Sequence, residues 1–272
     1  RTMKREAVRN SFRDRQHALE FDLRATRSDI RARLSSLLID ALELKGRERV
    51  LDLATGTGRF AQPVCRQLKE GKLVGVDEAL AMLGLAREKA QSEPLPSYLQ
   101  TAGVAQALPF RDSTFDCGFV AFSLHHFGRP SVMMEEVHRV LREGGKFVVL
   151  DPVVHKVRDP VDQSLIDFIN TVFRRSHGKD FQFYCSEEIR ELFTRGKFQI
   201  TQADLYSASF DQVGMDGIPT GRHWLEIAEG LDRKSGAMRE RFNESYFQFQ
   251  KKDDGFHVKG SFNYAIICGE SS

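Results

Sequence analysis

The residues best placed to do chemistry form one short stretch, which reads Val-Leu-Asp-Leu-Ala-Thr-Gly-Thr-Gly from residue 50. Its first five residues are apolar except for Asp52, a pattern that predicts a buried strand. Gly56 and Gly58 then allow a sharp turn, because glycine adds no side chain and accepts unusual backbone angles. A helix is predicted from about Arg59 to Lys69, and its first N–H groups would face a ligand above the glycines. The stretch is typical of a nucleotide-binding corner.

Two classes of cofactor use such a corner. Gly56-x-Gly58-x-x-Ala61 fits the loose dinucleotide fingerprint, and Asp77 lies about twenty residues further on, where a ribose-binding acid belongs in either class. Asp52 favours S-adenosylmethionine (SAM) over NAD, because a buried carboxylate needs a partner and the α-ammonium group of a methionine moiety would be one. The alternative for Asp52 is a carboxylate bonded only to loop amides, with no ligand.

The segments that follow alternate between strand and helix patterns. Leu73–Asp77 reads as a second strand, and a helix that carries Met82 follows it. Cys117–Phe122 and Lys146–Leu150 read as two more strands, separated by a helix that is predicted to end near Gly144. This alternation indicates an α/β fold with a mostly parallel sheet.

Two further motifs are Leu-Pro-Phe-x-Asp-x-x-Phe-Asp at 108–116 and Leu-x-x-Gly-Gly at 141–145. Together with the glycine-rich stretch, they make the chain resemble the class I SAM-dependent methyltransferases, and most closely the type 11 group that includes the UbiE-like ubiquinone/menaquinone C-methyltransferases. The resemblance covers residues 8–150 well and residues 186–207 more weakly. It implies a seven-stranded, mostly parallel Rossmann-like sheet with helices on both faces and an antiparallel last strand.

The resemblance also implies the cofactor, SAM, its product S-adenosylhomocysteine (SAH), and the residues that hold them. Asp52 and the glycine turn would surround the methionine end, Asp77 would hold the ribose hydroxyls, and Met82 would pack on the adenine. The cofactor-binding residues expected in this sequence are Asp52, Ala54, Thr55, Gly56, Gly58, Asp77, Glu78, Met82, Val104, Ala105 and Phe122.

Two positions depart from the family pattern. Ala54 stands where glycine is more frequent, and Val104 stands where an aspartate usually accepts a hydrogen bond from the adenine amino group. Either a neighbour such as Gln106 substitutes for that aspartate, or backbone contacts and packing alone hold the adenine.

Methyl transfer from SAM needs little chemical activation by an enzyme, because the sulfonium is a strong methyl donor with a neutral leaving group. The protein has to align the acceptor and exclude water, and a general base is needed only where the acceptor must lose a proton. His125 and His126 follow the fourth strand and Asp151 ends the fifth, at the edge where ligands gather in open α/β sheets. These three are the catalytic candidates, although Asp151 could equally cap a turn. His126, His155 and Tyr184 are the candidates for substrate contact.

Two segments extend this core. Residues 1–46 are expected to form N-terminal helices, and the resemblance places Asn10-Ser11-Phe12 and Phe21 in a mobile segment that closes over the cofactor. Residues 47–272 are expected to form the methyltransferase domain, with a helical insertion at 208–257 between strands six and seven. The methionine and aromatic residues of that insertion recur at helical spacing, which favours core packing or a homodimer contact over a direct substrate role.

Composition narrows the class of protein. The chain has 272 residues, a net charge of +2 and a mean hydropathy of −0.39, without a run of 18 apolar residues, so a membrane span is not expected. Its start lacks the apolar region of a signal peptide, and its four cysteines lack metal-ligand spacing, so we expect a cytoplasmic protein with no metal site. Twelve of the 21 phenylalanines follow residue 150, which suggests a pocket with apolar walls for a small apolar or aromatic acceptor, methylated on oxygen, nitrogen or carbon.

Three alternatives stay open. Residues 1–49 carry 13 Lys/Arg against 8 Asp/Glu, so an RNA-modifying methyltransferase with a basic arm is one, although no nucleic-acid-binding module accompanies the charge. The others are an NAD-dependent oxidoreductase and a methyltransferase-like scaffold that no longer catalyses.

Overall fold

The computed structural model describes residues 14–25, 29–93, 95, 97–253 and 255–272. The Asn10–Phe12 segment and the side chain of Phe21 lie outside the described residues. The helices of the described chain are α1 (Arg15–Ala25), α2 (Asp29–Leu42), α3 (Ala61–Cys65), α4 (Leu80–Ser92), α5 (Pro130–Val140), α6 (Pro160–His177), α7 (Ser186–Arg195), α8 (Gly221–Asp232) and α9 (Gly236–Ser245), with a 3₁₀ turn at Leu124–His126. Its strands are β1 (Arg49–Leu53), β2 (Lys72–Asp77), β3 (Tyr98–Ala102), β4 (Phe115–Ala121), β5 (Leu141–Val153), β6 (Phe198–Val213), β7 (Phe247–Lys252) and β8 (Gly255–Ser271).

All these strands belong to one sheet in the order β3-β2-β1-β4-β5-β8-β6, with β7 paired to β8. The strands from β1 to β5 are parallel to one another, whereas β8 runs antiparallel to β5 and β6. The mostly parallel sheet with an antiparallel last strand is confirmed. Because β1, β2, β4 and β5 point the same way, their carboxyl ends meet at one edge, where ligands bind in open α/β sheets.

Apolar side chains cover the sheet on both faces, as a mostly parallel sheet requires. On one face α2, α3, α6 and α8 bury a cluster that includes Leu34, Phe119 and Trp224. On the other face α5 and α7 bury a second cluster around Met134 and Phe193. These two layers fix the strand ends against each other and so position the side chains at the carboxyl edge.

The segment 208–257 contains two helices, α8 and α9, as a helical insertion requires, but it also contains strand residues that the sequence did not predict. It begins inside β6, which continues to Val213, and it includes β7, an eighth strand that pairs with β8. Helix α9 ends at Ser245, because Phe247 and Phe249 follow the period of two of a strand. Trp224 of α8 and Phe242 of α9 are buried within this chain and are therefore not available for contact with a second copy. A homodimer through this segment stays a prediction.

Two predicted helices are shorter than expected. The helix after the glycine turn ends at Cys65 instead of Lys69, because the chain tightens there and the N–H groups of residues 69–71 all donate to the carbonyl of Gly46. The helix before β5 ends at Val140, because Leu141 already pairs with β4. None of the helices in the described ranges is both long and apolar enough to cross a membrane.

Candidate active site

The glycine turn leaves β1 at the carboxyl edge of the sheet. Ala54, Gly56 and Gly58 all have positive φ angles, of 56°, 55° and 77°. The N–H of Thr55 donates to the carbonyl of Val76 at 2.9 Å, which holds the turn against β2. A Cβ atom added at Gly56 would meet no atom within 4 Å. The turn therefore faces open space, as the glycine pattern predicts for a ligand cradle.

Asp77 closes this cradle on the β2 side. Its Oδ2 accepts a hydrogen bond from the N–H of Gly56 at 2.8 Å, and its Oδ1 accepts one from the N–H of Ala79 at 2.8 Å. Burial raises the pKa of Asp77, and these two hydrogen bonds act against that rise. A carboxylate oxygen can accept more than one hydrogen bond, so Asp77 can hold the turn and still receive a ligand hydroxyl.

Asp52 lies beneath the turn, on β1, and is 3% exposed. The hydroxyl of Thr55 donates to its Oδ2 at 2.5 Å, and the same hydroxyl lies 2.8 Å from the hydroxyl of Tyr98. Burial raises the pKa of Asp52 to about 8; the Thr55 hydrogen bond opposes the rise and the charge of Asp77 adds to it. The hydrogen-bond partner that the structure shows for Asp52 is the Thr55 hydroxyl of the turn, and a cation beside Asp52 would favour its ionised form.

A contact that sequence reasoning missed covers the turn from the N-terminal side. Asp22, on α1, accepts hydrogen bonds from the hydroxyl of Thr57 at 2.5 Å, from Nε of Arg59 at 2.8 Å and from Nζ of Lys89. These donors lower the pKa of Asp22 against the opposing effect of burial. Nothing in the local sequence marks Asp22, because its partners come from other segments. Helix α1 is thereby fixed over the glycine turn.

Aromatic side chains border the cradle on the β4 side. Phe122 directly follows β4 and has a φ of 57°, a strained angle for a residue other than glycine. Its ring centroid lies 5.6 Å from that of Phe60 and 5.4 Å from that of Tyr264, and Tyr264 lies 6.4 Å from Tyr206. We call Phe60, Phe122, Tyr206 and Tyr264 the aromatic wall. Of these four, only Phe122 was expected at the site, because Phe60 directly precedes α3 and the two tyrosines come from β6 and β8.

His125 and Asp151 form a buried pair between the ends of β4 and β5. Nδ1 of His125 lies 2.8 Å from Oδ2 of Asp151, and the backbone N–H of His125 donates to the same oxygen at 3.2 Å. Oδ1 of Asp151 is buried and has no hydrogen-bond partner among the described residues. Two catalytic candidates are thus brought together. Asp151 accepts a backbone hydrogen bond, as a turn cap would, and it also orients the imidazole ring of His125.

Comparison with known proteins identifies the family. Residues 51–149 match the family described as a methyltransferase domain. The chain is 31% identical over 183 residues to the ubiquinone/menaquinone biosynthesis C-methyltransferase UbiE of Dinoroseobacter shibae, and the match covers 65% of this chain and 71% of that relative. The chain belongs to the class I SAM-dependent methyltransferases. SAM is its cofactor, and the alternative of an NAD-dependent oxidoreductase is wrong.

Two other proteins are similar over more of this methyltransferase. The uncharacterized methyltransferase YcgJ of Bacillus subtilis is 30% identical over 209 residues, covering 76% of this chain and 79% of that relative. A solved structure from Bacillus halodurans C-125 is 21% identical, has a TM-score of 0.71, and covers 87% of this chain and 97% of its own. Because its sequence identity is only 21%, the similarity to the Bacillus halodurans structure supports the fold alone.

His126 lies in the methyltransferase among other histidines. Its ring is 4.3 Å from His125 and stacks at 5.7 Å on His177 of α6, which lies 5.3 Å from His223 of α8. Burial, followed by the neighbouring histidines, lowers the pKa of His126 well below its usual value, and burial lowers the pKa of His177 to about 4. We call His126, His177 and His223 the histidine cluster. Its position between helices makes packing the simpler account of His126.

The other two substrate candidates are placed less favourably. His155 lies with its Nδ1 2.7 Å from the hydroxyl of Tyr246 and its Nε2 3.0 Å from Asp162, inside a network that joins the start of α6 to α9. Tyr184 pairs its backbone with Val153 and packs against the apolar cluster on the opposite face of the sheet from Tyr264. Burial raises the pKa of Tyr184 to about 12.

The positions expected around the adenine lie on the β2 and β3 side. Met82 is buried and packs with Ala18 of α1, whereas Glu78 is exposed. Val104 is 42% exposed, and Ala105 beside it is buried. Because the valine side chain cannot hydrogen-bond, only backbone groups or neighbouring side chains can recognise the adenine amino group there.

Proposed function

We propose that this enzyme transfers the methyl group of SAM to a small apolar or aromatic acceptor that binds on the aromatic wall. The observation that carries this proposal is the position of Phe122, which stacks on Phe60 beside the glycine turn and contacts Tyr264 on the opposite side. Aromatic faces give a ring-shaped or apolar acceptor large contact area. The name of the Dinoroseobacter shibae relative refers to quinone biosynthesis, and quinones are compounds of this kind.

For the cofactor, we propose the residues that the resemblance implied. Open space above Gly56 and the buried carboxylate of Asp52 support a methionine end at this turn, with the α-ammonium group compensating Asp52. The remaining acceptor capacity of Asp77 supports ribose binding at the end of β2. Met82 and Ala105 would then border the adenine, with Val104 leaving its amino group to backbone acceptors.

The side chains at the carboxyl edge of the sheet would align the acceptor and, where needed, remove its proton. Bound SAM supplies a methyl group on a positively charged sulfur, which leaves as a neutral thioether when the acceptor atom bonds to the methyl carbon. The aromatic wall aligns the acceptor with that methyl group and excludes water. For an acceptor that must lose a proton, Nε2 of His125 is the proposed base, because Asp151 occupies Nδ1 and holds the ring in one orientation.

No observation on the described residues favours RNA methylation, which stays an alternative. Within residues 1–49, Arg15 pairs with Glu88 of α4.

The proposal is tested by measuring SAH formation when the enzyme is given SAM and a panel of quinones, phenols and amines. We expect turnover with at least one apolar ring compound, and a loss of about tenfold in kcat/KM in F122L that exceeds its loss of SAH affinity. F249L is the matched control, because it makes the same substitution in β7, away from the glycine turn. SAH binding without turnover of any panel member would reject the acceptor class while leaving the cofactor site in place.

A further inference from the structure

A half-buried cation that forms no ion pair with the described residues lies beside the aromatic wall. Arg31 belongs to α2, and its Cζ lies 5.7 Å from the ring centroid of Phe60 and 5.8 Å from that of Phe122. Its Nε is buried and has no hydrogen-bond partner among the described residues. Burial lowers the pKa of Arg31 to about 10, so the guanidinium still carries its charge at neutral pH.

A second polar group without a partner lies on the same wall. Tyr264, on β8, is 1% exposed, and its hydroxyl is buried with no hydrogen-bond partner in the part of the chain that the structure describes. Its ring contacts Phe122, the same ring that Arg31 contacts. Burial raises the pKa of Tyr264, with Arg31 opposing the rise, so the phenol remains a neutral donor.

The described residues leave Nε of Arg31 and the Tyr264 hydroxyl without hydrogen-bond partners. Removing a cation from water costs several kcal/mol, of which two cation–π contacts offset only part. The charge of Asp22 raises the pKa of Arg31, but the Asp22 carboxylate already accepts from Thr57, Arg59 and Lys89. Buried polar groups without partners are rare in folded proteins, and they are explained most directly by a ligand that completes them.

We propose that the methyl acceptor carries a carboxylate, which accepts hydrogen bonds from the Arg31 guanidinium and the Tyr264 hydroxyl while its apolar body lies on Phe122. This inference rests on the proposed function, since it takes the aromatic wall as the acceptor site. Guanidinium groups bind carboxylates through paired donors, and a neutral phenol adds one more donor.

The sheet order favours the acceptor over the methionine carboxylate of the cofactor as the source of this anion. Asp52 and Asp77, which mark the proposed cofactor site, lie on β1 and β2. Tyr264 lies on the other side of β1, on β8, where it pairs with Pro152 of β5. A carboxylate that reaches both Arg31 and Tyr264 therefore belongs on the acceptor half of the carboxyl edge.

Competition between an acid and its uncharged counterpart tests the proposal. Binding of 2-naphthoate and 2-naphthamide to the SAH-saturated protein is measured by calorimetry. We expect the acid to bind at least about tenfold more tightly than the amide, and this preference to fall to about threefold or less in R31M and to decrease in Y264F. R33M removes the same charge from an exposed position of α2 and should keep the preference.

SAH binding by the same variants distinguishes a failure of this proposal from a failure of the proposed cofactor site. We expect R31M and R33M to bind SAH within about twofold of the wild type. A large loss of SAH affinity in R31M, with 5′-methylthioadenosine binding unchanged, would assign Arg31 to the cofactor carboxylate and overturn the proposal. Equal binding of acid and amide, or binding of neither, would overturn it as well. Failure of the folded wild type to bind SAH would instead reject the proposed cofactor site.

Discussion

The backbone N–H of Gly56 donates a hydrogen bond to Oδ2 of Asp77 at 2.8 Å, and this contact joins the turn after β1 to the end of β2. The other oxygen of the same carboxylate accepts from Ala79 at the start of α4. Asp77 therefore shapes the cradle as well as offering acceptor sites to a ligand. A substitution at Asp77 should act on both.

The first prediction concerns D77A. We expect the variant to lose SAH affinity by about a hundredfold or more, because a ribose contact and a turn contact disappear together. Its free energy of unfolding should fall by about 1–3 kcal/mol, since the buried N–H of Gly56 loses its acceptor. Calorimetry with SAH and urea unfolding measure the two effects. D204A, on the exposed side of β6, should leave both unchanged, and normal SAH binding by D77A would contradict the ribose assignment.

The sequence predicted the β1–β2 half of the site because its signals are local. Two glycines two residues apart require a turn, and Asp52 and Asp77 lie in or at the end of the strands that the turn joins. A turn of this kind depends on residues that are close in sequence, so it can be predicted without knowing the tertiary fold.

The other half could not be predicted in the same way. Arg31 and Tyr264 are separated by more than two hundred residues, and only the central position of β8 in the sheet brings Tyr264 to the wall. β7 was missed because Tyr246 and Phe249 fit a helical spacing as well as Phe247 and Phe249 fit a strand. His155 was expected at the substrate because it follows β5, but the Tyr246 hydroxyl lies within hydrogen-bond distance of its Nδ1 and Asp162 lies 3.0 Å from its Nε2.

The second prediction links SAH binding to a proton on Asp52. Its pKa of about 8 means that the carboxyl is mostly protonated at pH 7 without ligand, and a bound ammonium group would favour the ionised form. SAH affinity should therefore rise between about pH 6 and pH 8, by up to about tenfold per pH unit, and level off above. At pH 7 the binding enthalpy should depend on the ionisation enthalpy of the buffer, because a proton is released.

D52N should remove this dependence on pH and on buffer. D40N, at an exposed position of α2, should retain both. An SAH affinity that is flat from pH 6 to pH 8 in the wild type would show that the ammonium group does not face Asp52.

The third prediction concerns backbone strain at Ala54, where φ is 56°. A residue with a Cβ atom pays for this angle, whereas glycine adopts it freely, so A54G should raise the free energy of unfolding by about 1 kcal/mol. A90G, within helix α4, should lower it by about 1 kcal/mol or more, because glycine there adds flexibility and removes a methyl group that packs against the apolar cluster. Urea unfolding distinguishes the two, and a destabilised A54G would show that the alanine is not strained.

The fourth prediction concerns the histidine cluster and acid. The pKa of His177 is about 4 in the folded protein and would be about 6.5 in the unfolded chain, so the unfolded chain binds a proton that the folded protein does not. Proton uptake by His177 on unfolding should therefore lower the free energy of unfolding by about 2 kcal/mol between pH 7 and pH 5. The lowered pKa values of His126 and His223 act in the same direction. The raised pKa of Asp52 acts in the opposite direction, so the contribution of His177 is the difference between the wild type and a variant that lacks this histidine.

Urea unfolding at pH 7 and pH 5 measures this loss. H177F keeps an aromatic ring among Phe173 and Phe181 but cannot take up a proton, so the loss should be smaller. H138Q, on α5, should show the wild-type loss. The same pH dependence in H177F and the wild type would show that His177 does not carry the effect.

The fifth prediction concerns the contact between α1 and the glycine turn. Asp22 receives donors from Thr57, Arg59 and Lys89, and D22N would remove the charge while keeping the size of the side chain. If α1 covers the cofactor, SAH should leave D22N about tenfold faster than the wild type, since a partly buried charged contact is lost. Stopped-flow displacement of a fluorescent SAH analogue measures this rate.

E88Q provides the matched comparison, because Glu88 of α4 pairs with Arg15 of α1 at the exposed surface, at 2.5 Å. Exposed ion pairs contribute about 1 kcal/mol or less, so E88Q should release SAH within about threefold of the wild-type rate. Because both variants weaken the attachment of α1 and only D22N alters the contact with the turn, the difference between them isolates that contact. Equal release from D22N and the wild type would mean that α1 does not hold the cofactor in place.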